Sequence, residues 1–138
     1  MPDIAIAILV DGNKVLMGRR APHKATYANC WDFIGGHVEG GETLIGALIR
    51  EVCEEVNVRP IAPVFLGKML DQALGVEGPP TYHFFSVHEW SGGSPVLANH
   101  EHSELRWVTV DDMRLLDRLS NLAYMDIATC AIAVHPTS

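Results

Sequence analysis

Residues 36–58 read GHVEGGETLIGALIREVCEEVNV, a glycine-rich turn running into a segment with apolar and acidic residues at helical spacing. Wound at about 100° per residue from Thr43, the segment gathers Leu44, Ile45, Leu48, Ile49, Val52 and Val56 on one broad arc, which predicts a helix with that arc against a core. Glu51, Glu54 and Glu55 stand at i, i+3 and i+4 on a single stripe, and Glu55 falls at the border of the apolar arc. Like charges at this spacing cost about 0.2–0.5 kcal/mol per pair, and more when half-buried, unless a cation neutralises them. Arg50 reaches Glu54 at i+4, but one arginine is not expected to satisfy three carboxylates. An all-oxygen donor set suits Mg²⁺ or Mn²⁺, and Mg²⁺ typically takes few protein carboxylates together with substrate phosphates and water. The plain alternative is a solvated acidic helix face.

Working outward, Trp31-Asp32-Phe33-Ile34 reads as a short strand that delivers the chain into Gly35-Gly36, and a second pair, Gly40-Gly41, precedes the helix. Paired glycines permit positive φ or close backbone approach. Residues 21–30 are loop-like, a length that often covers a site. Ile4 to Val10 is an unbroken apolar run, consistent with a strand buried on both faces, and Asp11-Gly12-Asn13 turns it back into a partner strand over Lys14 to Arg20. Downstream, Ile61, Val64, Phe65, Leu66, Met69 and Leu70 mark an extended stretch. A turn is expected over 75–80, a strand over Tyr82 to Trp90 and another over Leu105 to Val110. Asp111-Asp112 signals a helix start, and a last helix is expected over Asn121 to Val134, with Pro136 beyond it. Strands, one central helix, more strands and a late helix predict an α+β fold, a mixed β-sheet with helices packed on its faces.

The chain has 138 residues, the size of one domain (1–138), with 48% hydrophobic and 20% charged residues. Cys30, Cys53 and Cys130 are odd in number and widely spaced, which fits free thiols in a reducing cytoplasm. The apolar run at 4–10 is too short for a signal peptide or membrane span, so a soluble cytoplasmic protein without membrane association is expected. A net charge of −7 argues against a nucleic-acid polymer as partner, because phosphate neutralisation drives such binding. An acidic protein still takes a small anionic substrate when metal ions mediate.

The central segment resembles the Nudix box: Gly36, Glu42 after five residues, Arg50-Glu51 after seven more, aliphatic Val52, Glu54-Glu55 and aliphatic Val58. Asn57 stands where the family usually has glycine. Asparagine also tolerates the left-handed conformation that ends a helix, so the turn is expected to survive. The flanks agree: Trp31 to Gly36 looks like the strand before the box, and Glu104 to Val108 like the family's late strand. The resemblance implies a Nudix α/β/α sandwich and a MutT-like hydrolase. Water would attack one phosphorus of a diphosphate linkage in a nucleoside diphosphate derivative, with Mg²⁺, or Mn²⁺ in its place, as cofactor.

The resemblance also implies the roles. Glu54 and Glu55 would ligate the metal with the Gly36 carbonyl, and Glu51 would join them or accept the proton of the attacking water. Arg50 would orient the carboxylates, and Glu42 would hold the loop–helix junction. Some relatives draw the base from a later loop, where Glu101 and Glu104 are available. Arg19, Arg20 and Lys24 are candidates for clamping phosphate. Tyr27, Trp31 and Phe33 could stack on a base, the last two being equally readable as core. Asn121 lies where some nucleotide-cleaving relatives place a base-reading asparagine. His100 and His102 have zinc-like spacing without convincing partners and read as surface residues. Trp107 reads as core.

The first-choice substrate is a (deoxy)nucleoside triphosphate or its oxidised form. ADP-ribose or a sugar nucleotide is the enzymatic runner-up, and a non-catalytic nucleotide-binding module is a different class, disfavoured because no box carboxylate is lost. A prenyl diphosphate isomerase would need cysteine and glutamate positions that Cys30 and Cys53 do not supply. Homodimers are common in the family.

Overall fold

The structure, a computed structural model, describes residues 2–71 and 78–134. Its centre is β1 (Asp3–Asp11), which pairs antiparallel with β2 (Lys14–Arg20) and β4 (Ile34–His37) and parallel with β7 (Thr81–Val87). β3 (Trp31–Asp32) and β9 (His102–Val108) extend the sheet from β2, and β6 (Val64–Leu70) closes its other edge on β7. β5 (Arg59–Ile61) and β8 (Glu89–Ser91) form a separate two-stranded ladder. The sheet is mixed and carries helices, as the residue pattern predicts.

The unbroken apolar run in β1 follows from burial on both sides. Ile6, Ile8 and Val10 pack with Met113 of α2 (Val110–Leu115) and with Tyr124, Ala128 and Ala131 of α3 (Tyr124–Ala133). Ala5, Ala7 and Leu9 pack with Ala47, Leu48, Val52 and Val56 of α1 (Leu44–Val56). Side chains alternate across a strand, so a strand between two helical layers must be apolar throughout.

α1 starts where the wheel places it. Thr43 is its N-cap, with Oγ1 accepting from the Gly46 amide at 3.0 Å. It ends on Asn57 at φ 60 and ψ 32, whose amide donates to the Cys53 carbonyl at 3.1 Å. Asparagine thus performs the left-handed cap at the position where glycine was expected. Ile45, assigned to the buried arc, is 38% exposed instead, because the true core stripe runs through Ala47, Leu48, Val52 and Val56 and leaves the first turn partly in solvent.

Other boundaries shift for local reasons. The strand expected over Trp31 to Ile34 breaks at Phe33 into β3 and β4, which pair with different neighbours. The strand expected over Tyr82 to Trp90 breaks at His88, and β8 leaves for the small ladder. Val110 belongs to α2, not to the preceding strand, because Thr109 and Asp112 form a capping box ahead of it. α3 begins at Tyr124, later than Asn121; the Asn121 side chain accepts from the Ala123 amide at 2.9 Å just before the helix. Residues 75–77 of the expected turn, and Pro136, lie outside the described residues. No helix among the described residues is long and apolar enough to cross a membrane.

Candidate active site

Arg50 is the hub of the central segment. Its Nε and Nη2 donate to the two Glu42 oxygens at 2.8 and 2.9 Å, and Nη1 donates to Glu51 Oε1 at 2.8 Å and to Glu54 Oε2 at 3.3 Å. Nη2 also donates to the His37 carbonyl at 3.0 Å, tying the helix to the end of β4. Arg50 thus reaches Glu51 and Glu54, and the turn brings Glu42 back beside the helix as a third partner, but Glu55 is left without it, as expected of a single arginine. Glu42 in turn accepts from the Glu39 amide at 2.9 Å, and the guanidinium, with this amide second, holds its carboxyl down at about 2. Arg50 itself is raised above its ordinary value by the same partner.

Gly36 and Glu51 share one space: a β-carbon at Gly36 would collide with the Glu51 carboxylate. The glycine is needed here for close approach and not for positive φ, which it does not adopt. Glu55, one turn on from Glu51, is buried at 3% exposure. Its Oε2 has no hydrogen-bond partner. Burial first, and the neighbouring Glu51 and Glu101 charges after it, push its carboxyl up to about 9.

His102 Nδ1 stands 3.5 Å from Glu55 Oε1 and is also unpartnered. Burial, then Arg20, push its imidazole down to about 4. The expectation of a surface histidine fails at this position: β9 turns His102 inward, and Gly18 on β2 makes room, since a β-carbon there would collide with the ring.

Glu55 and His102 border a cavity of about 320 Å³, whose lining does not include Gly36, Arg50, Glu51 or Glu54. Among the sequence candidates, Arg20, Lys24, Tyr27, Phe33, Glu55 and Glu101 line it. Lys24 Nζ pairs with the Glu101 carboxylate, which is thereby held below its usual range. Arg19 does not line the cavity. Neighbouring strand residues face opposite sides, and Arg19 bonds the Asn29 carbonyl at 3.0 Å and Asp117 at 3.2 Å. Glu104 likewise points elsewhere: it pairs with Arg106 at 2.9 Å, opposite Arg19 in the β2–β9 register. Asn121 is occupied at the approach to α3 and is also absent from the lining. Trp31 is core, 1% exposed, with the Arg106 guanidinium 4.7 Å from its ring centre. Trp107 is half-buried beneath Trp90, their rings stacked at 5.9 Å.

The cavity also holds groups that the sequence does not announce. Asp32, Tyr82 and Tyr124 line it together with Phe33. The Asp32 carboxylate accepts from the Phe33 amide at 2.8 Å and from Ser120 Oγ at 3.2 Å, while burial pushes its carboxyl up to about 6. Asp71, buried at the end of β6, accepts from the hydroxyls of Tyr27 at 2.7 Å and Tyr82 at 2.6 Å. The Tyr27 hydroxyl is pushed up to about 12, chiefly by burial and then by its bond to Asp71. That bond fastens the 21–30 loop across the cavity, with Tyr27 at φ 54, a left-handed conformation unusual for a bulky residue. No short motif announces such a network, because its members come from segments far apart in sequence. The one available signal was strand alternation, which separates Arg20 from Arg19.

Among the described residues no three His, Cys, Asp or Glu side chains converge in metal-ligating geometry. Arg50 engages Glu51 and Glu54, and Glu55 alone faces the interior. The donor set nevertheless fits a hard divalent cation. A carboxylate oxygen buried without a partner is costly unless a cation or proton satisfies it, and Glu51 and Glu54 put further carboxylate oxygens on the same helix, with the His102 imidazole nitrogen beside Glu55.

Residues 1–125 match the family model of the NUDIX domain. The 8-oxo-dGTP diphosphatase of Escherichia coli is 34% identical over 92 residues, covering 64% of this chain and 67% of the relative. The CTP pyrophosphohydrolase of Escherichia coli is 26% identical over 114 residues, covering 81% of this chain and 78% of the relative. The crystal structure of a MutT NUDIX hydrolase from Burkholderia pseudomallei superposes with a TM-score of 0.78 at 25% identity, covering 96% of this chain and 98% of that one.

Proposed function

The chain belongs to the NUDIX family of hydrolases, and we propose that within it this member cleaves a diphosphate linkage in a (deoxy)nucleoside triphosphate or its oxidised form, in a Mg²⁺-dependent reaction. The observation that carries this reading is the pairing of two halves in one cavity. Arg20, Lys24 and the buried, unpartnered Glu55 carboxylate line the same cavity as the aromatic residues Tyr27, Phe33, Tyr82 and Tyr124.

Glu51, Glu54 and Glu55, with the Gly36 carbonyl, are the groups that would hold the metal. Mg²⁺ or Mn²⁺ bound there would supply charge neutralisation at phosphate and a lowered pKa for water. The chain's own residues do the rest. Arg20 and Lys24 offer cationic donors to phosphate oxygens. Arg50 fixes the rotamers of Glu51 and Glu54, so that the acidic face is set before substrate arrives. The general base comes from Glu51 in the box or from Glu101, the later-loop carboxylate that lines the cavity.

The test is a panel of nucleoside triphosphates, oxidised triphosphates, ADP-ribose and sugar nucleotides with Mg²⁺, scored for phosphate against pyrophosphate release. Pyrophosphate release from triphosphates supports the reading. Cleavage confined to ADP-ribose or sugar nucleotides replaces it with the runner-up, and nucleotide binding without cleavage replaces it with the non-catalytic module.

A further inference from the structure

Resting on the reading of Glu55 as a metal ligand, we propose that His102 is a positioning residue for the metal site: its Nδ1–H holds one oxygen of the Glu55 carboxylate and leaves the other for the divalent cation. His102 Nδ1 stands 3.5 Å from Glu55 Oε1, and among the described residues neither Nδ1 nor Glu55 Oε2 has a hydrogen-bond partner. His102 is 7% exposed and Glu55 3%, so solvent does not substitute for the missing partners. The separation exceeds that of a formed charge-assisted bond, about 2.7–2.9 Å, and bonds within a functional site are commonly long until the ligand arrives.

The placement of the ring is built by the backbone around it. β2 and β9 keep one register from Val15 opposite Val108 to Arg19 opposite Glu104, in which the next pair would be Arg20 with Ser103. The shift between Arg19 and Arg20 puts His102 there instead. An irregularity of this kind re-aims a side chain, and here His102 is buried while Ser103 is exposed. Gly18 receives the ring, since a β-carbon at that position would lie 2.8 Å from His102 Cγ and 2.9 Å from Nε2. The segment before β9 is tied to the helix end that carries the carboxylate. The Ala98 amide donates to the Glu55 carbonyl at 3.0 Å, and the Val96 amide to the Val56 carbonyl at 3.1 Å.

The surroundings of Glu55 leave this role open. The Glu51 and Glu101 carboxylates oppose its charge, and Lys24, which favours it, is already paired with Glu101. Once ionised in the metal complex, the Glu55 carboxylate has one oxygen for the cation and a second, buried oxygen that needs a donor. A neutral imidazole carries a single N–H, on Nδ1 or on Nε2. The Nδ1–H tautomer supplies the donor without adding a positive charge beside Arg20, which disfavours a charged ring here. Hydrogen bonds that orient ligating groups typically carry about tenfold to a hundredfold of the affinity for the metal.

The experiment titrates Mn²⁺ into metal-free protein and reads binding by calorimetry and by loss of the free-ion EPR signal. His102→Leu fills the space of the ring without a donor and should weaken Mn²⁺ binding by roughly tenfold to a hundredfold. His102→Asn is smaller, but its amide nitrogen is bonded to Cγ as Nδ1 is, and it should stay within about threefold of the wild type. A packing role gives the opposite order, because leucine keeps the volume and asparagine leaves a void. Wild-type affinity in His102→Leu, an affinity in His102→Asn no better than in His102→Leu, or a wild type that takes up no Mn²⁺ overturns the proposal. If the variants do not fold, wild-type protein with ¹⁵N-labelled histidine decides by NMR. Saturated with Mg²⁺, His102 should carry its proton on Nδ1, and an unprotonated Nδ1 overturns the proposal. If Mn²⁺ affinity follows the donor yet no nucleotide is cleaved, the hydrolase reading fails and the role of His102 stands. If nucleotides are cleaved and the Mn²⁺ order is reversed, the reading stands and the role of His102 falls.

Discussion

Glu55 makes the metal-free protein sensitive to alkali in a defined window. A carboxyl with an ordinary value of 4.5 that burial pushes to about 9 stays protonated in the folded chain, while the unfolded chain ionises. Its contribution to stability is fully present below 4.5 and is lost as pH rises through 9. His102 has the opposite sign. Its folded value of about 4 lies below the ordinary 6.5, so its contribution is present above 6.5 and lost as pH falls through 4. Asp32, raised from 3.8 to about 6, has lost its contribution by pH 6.

Between pH 6.5 and 9, then, Glu55 acts alone among these groups. Each pH unit is worth about 1.4 kcal/mol, so the wild type should lose about 3 kcal/mol across that window. Urea denaturation in EDTA at several pH values reads this directly. Glu55→Gln, neutral at every pH, should flatten the profile and be the more stable protein at pH 9, while having lost Mg²⁺-dependent hydrolysis. A flat wild-type profile from pH 6.5 to 9, or an equally steep one in Glu55→Gln, refutes the reasoning.

Three further outcomes follow from geometry. Gly36→Ala should fold, since only the Glu51 side chain must yield, yet lose about tenfold or more in kcat because that carboxylate is displaced; wild-type kcat in a well-folded variant contradicts the packing. Glu101→Gln should lower kcat/KM by about tenfold or more if it is the base, whereas Glu104→Gln, tied to Arg106 outside the cavity, should stay within about twofold; the reverse order would restore Glu104 as the functional carboxylate. Asn57→Ala should destabilise by about 1 kcal/mol or more and Asn57→Gly by less, measured as urea midpoints, because alanine pays the left-handed penalty at φ 60.

How much could be read beforehand depended on whether the signal was local. The helix, its start near Thr43, the Asn57 cap and the border position of Glu55 are consequences of neighbouring residues and a fixed turn angle, and all four appear as read. Ile4 to Val10 was legible because a strand covered on both sides has no polar face to display. Arg19, Glu104, Asn121 and His102 were misjudged because their surroundings are set by distant pairing. β9 runs along β2, and its register shift between Arg19 and Arg20 sets Arg20 opposite His102 and Arg19 opposite Glu104. Asp32 and Asp71 were passed over since an isolated aspartate carries no pattern. Their significance arises only when Ser120, Tyr27 and Tyr82 arrive from other parts of the chain.

The parallel pairing of β1 with β7 has a consequence for how the chain acquires its shape. Residues 3–9 find their partners at 81–87, so the central strand lacks one of its three ladders until more than half of the chain has been synthesised. Such a long closure is slow to form and rewards the chain late. On the ribosome, a nascent chain emerged only to residue 70 holds both strands of the first hairpin and the whole acidic helix, yet leaves one edge of its most apolar strand open. That edge is the place where a holdase would be expected to engage, and it closes when Thr81 to Val87 arrives.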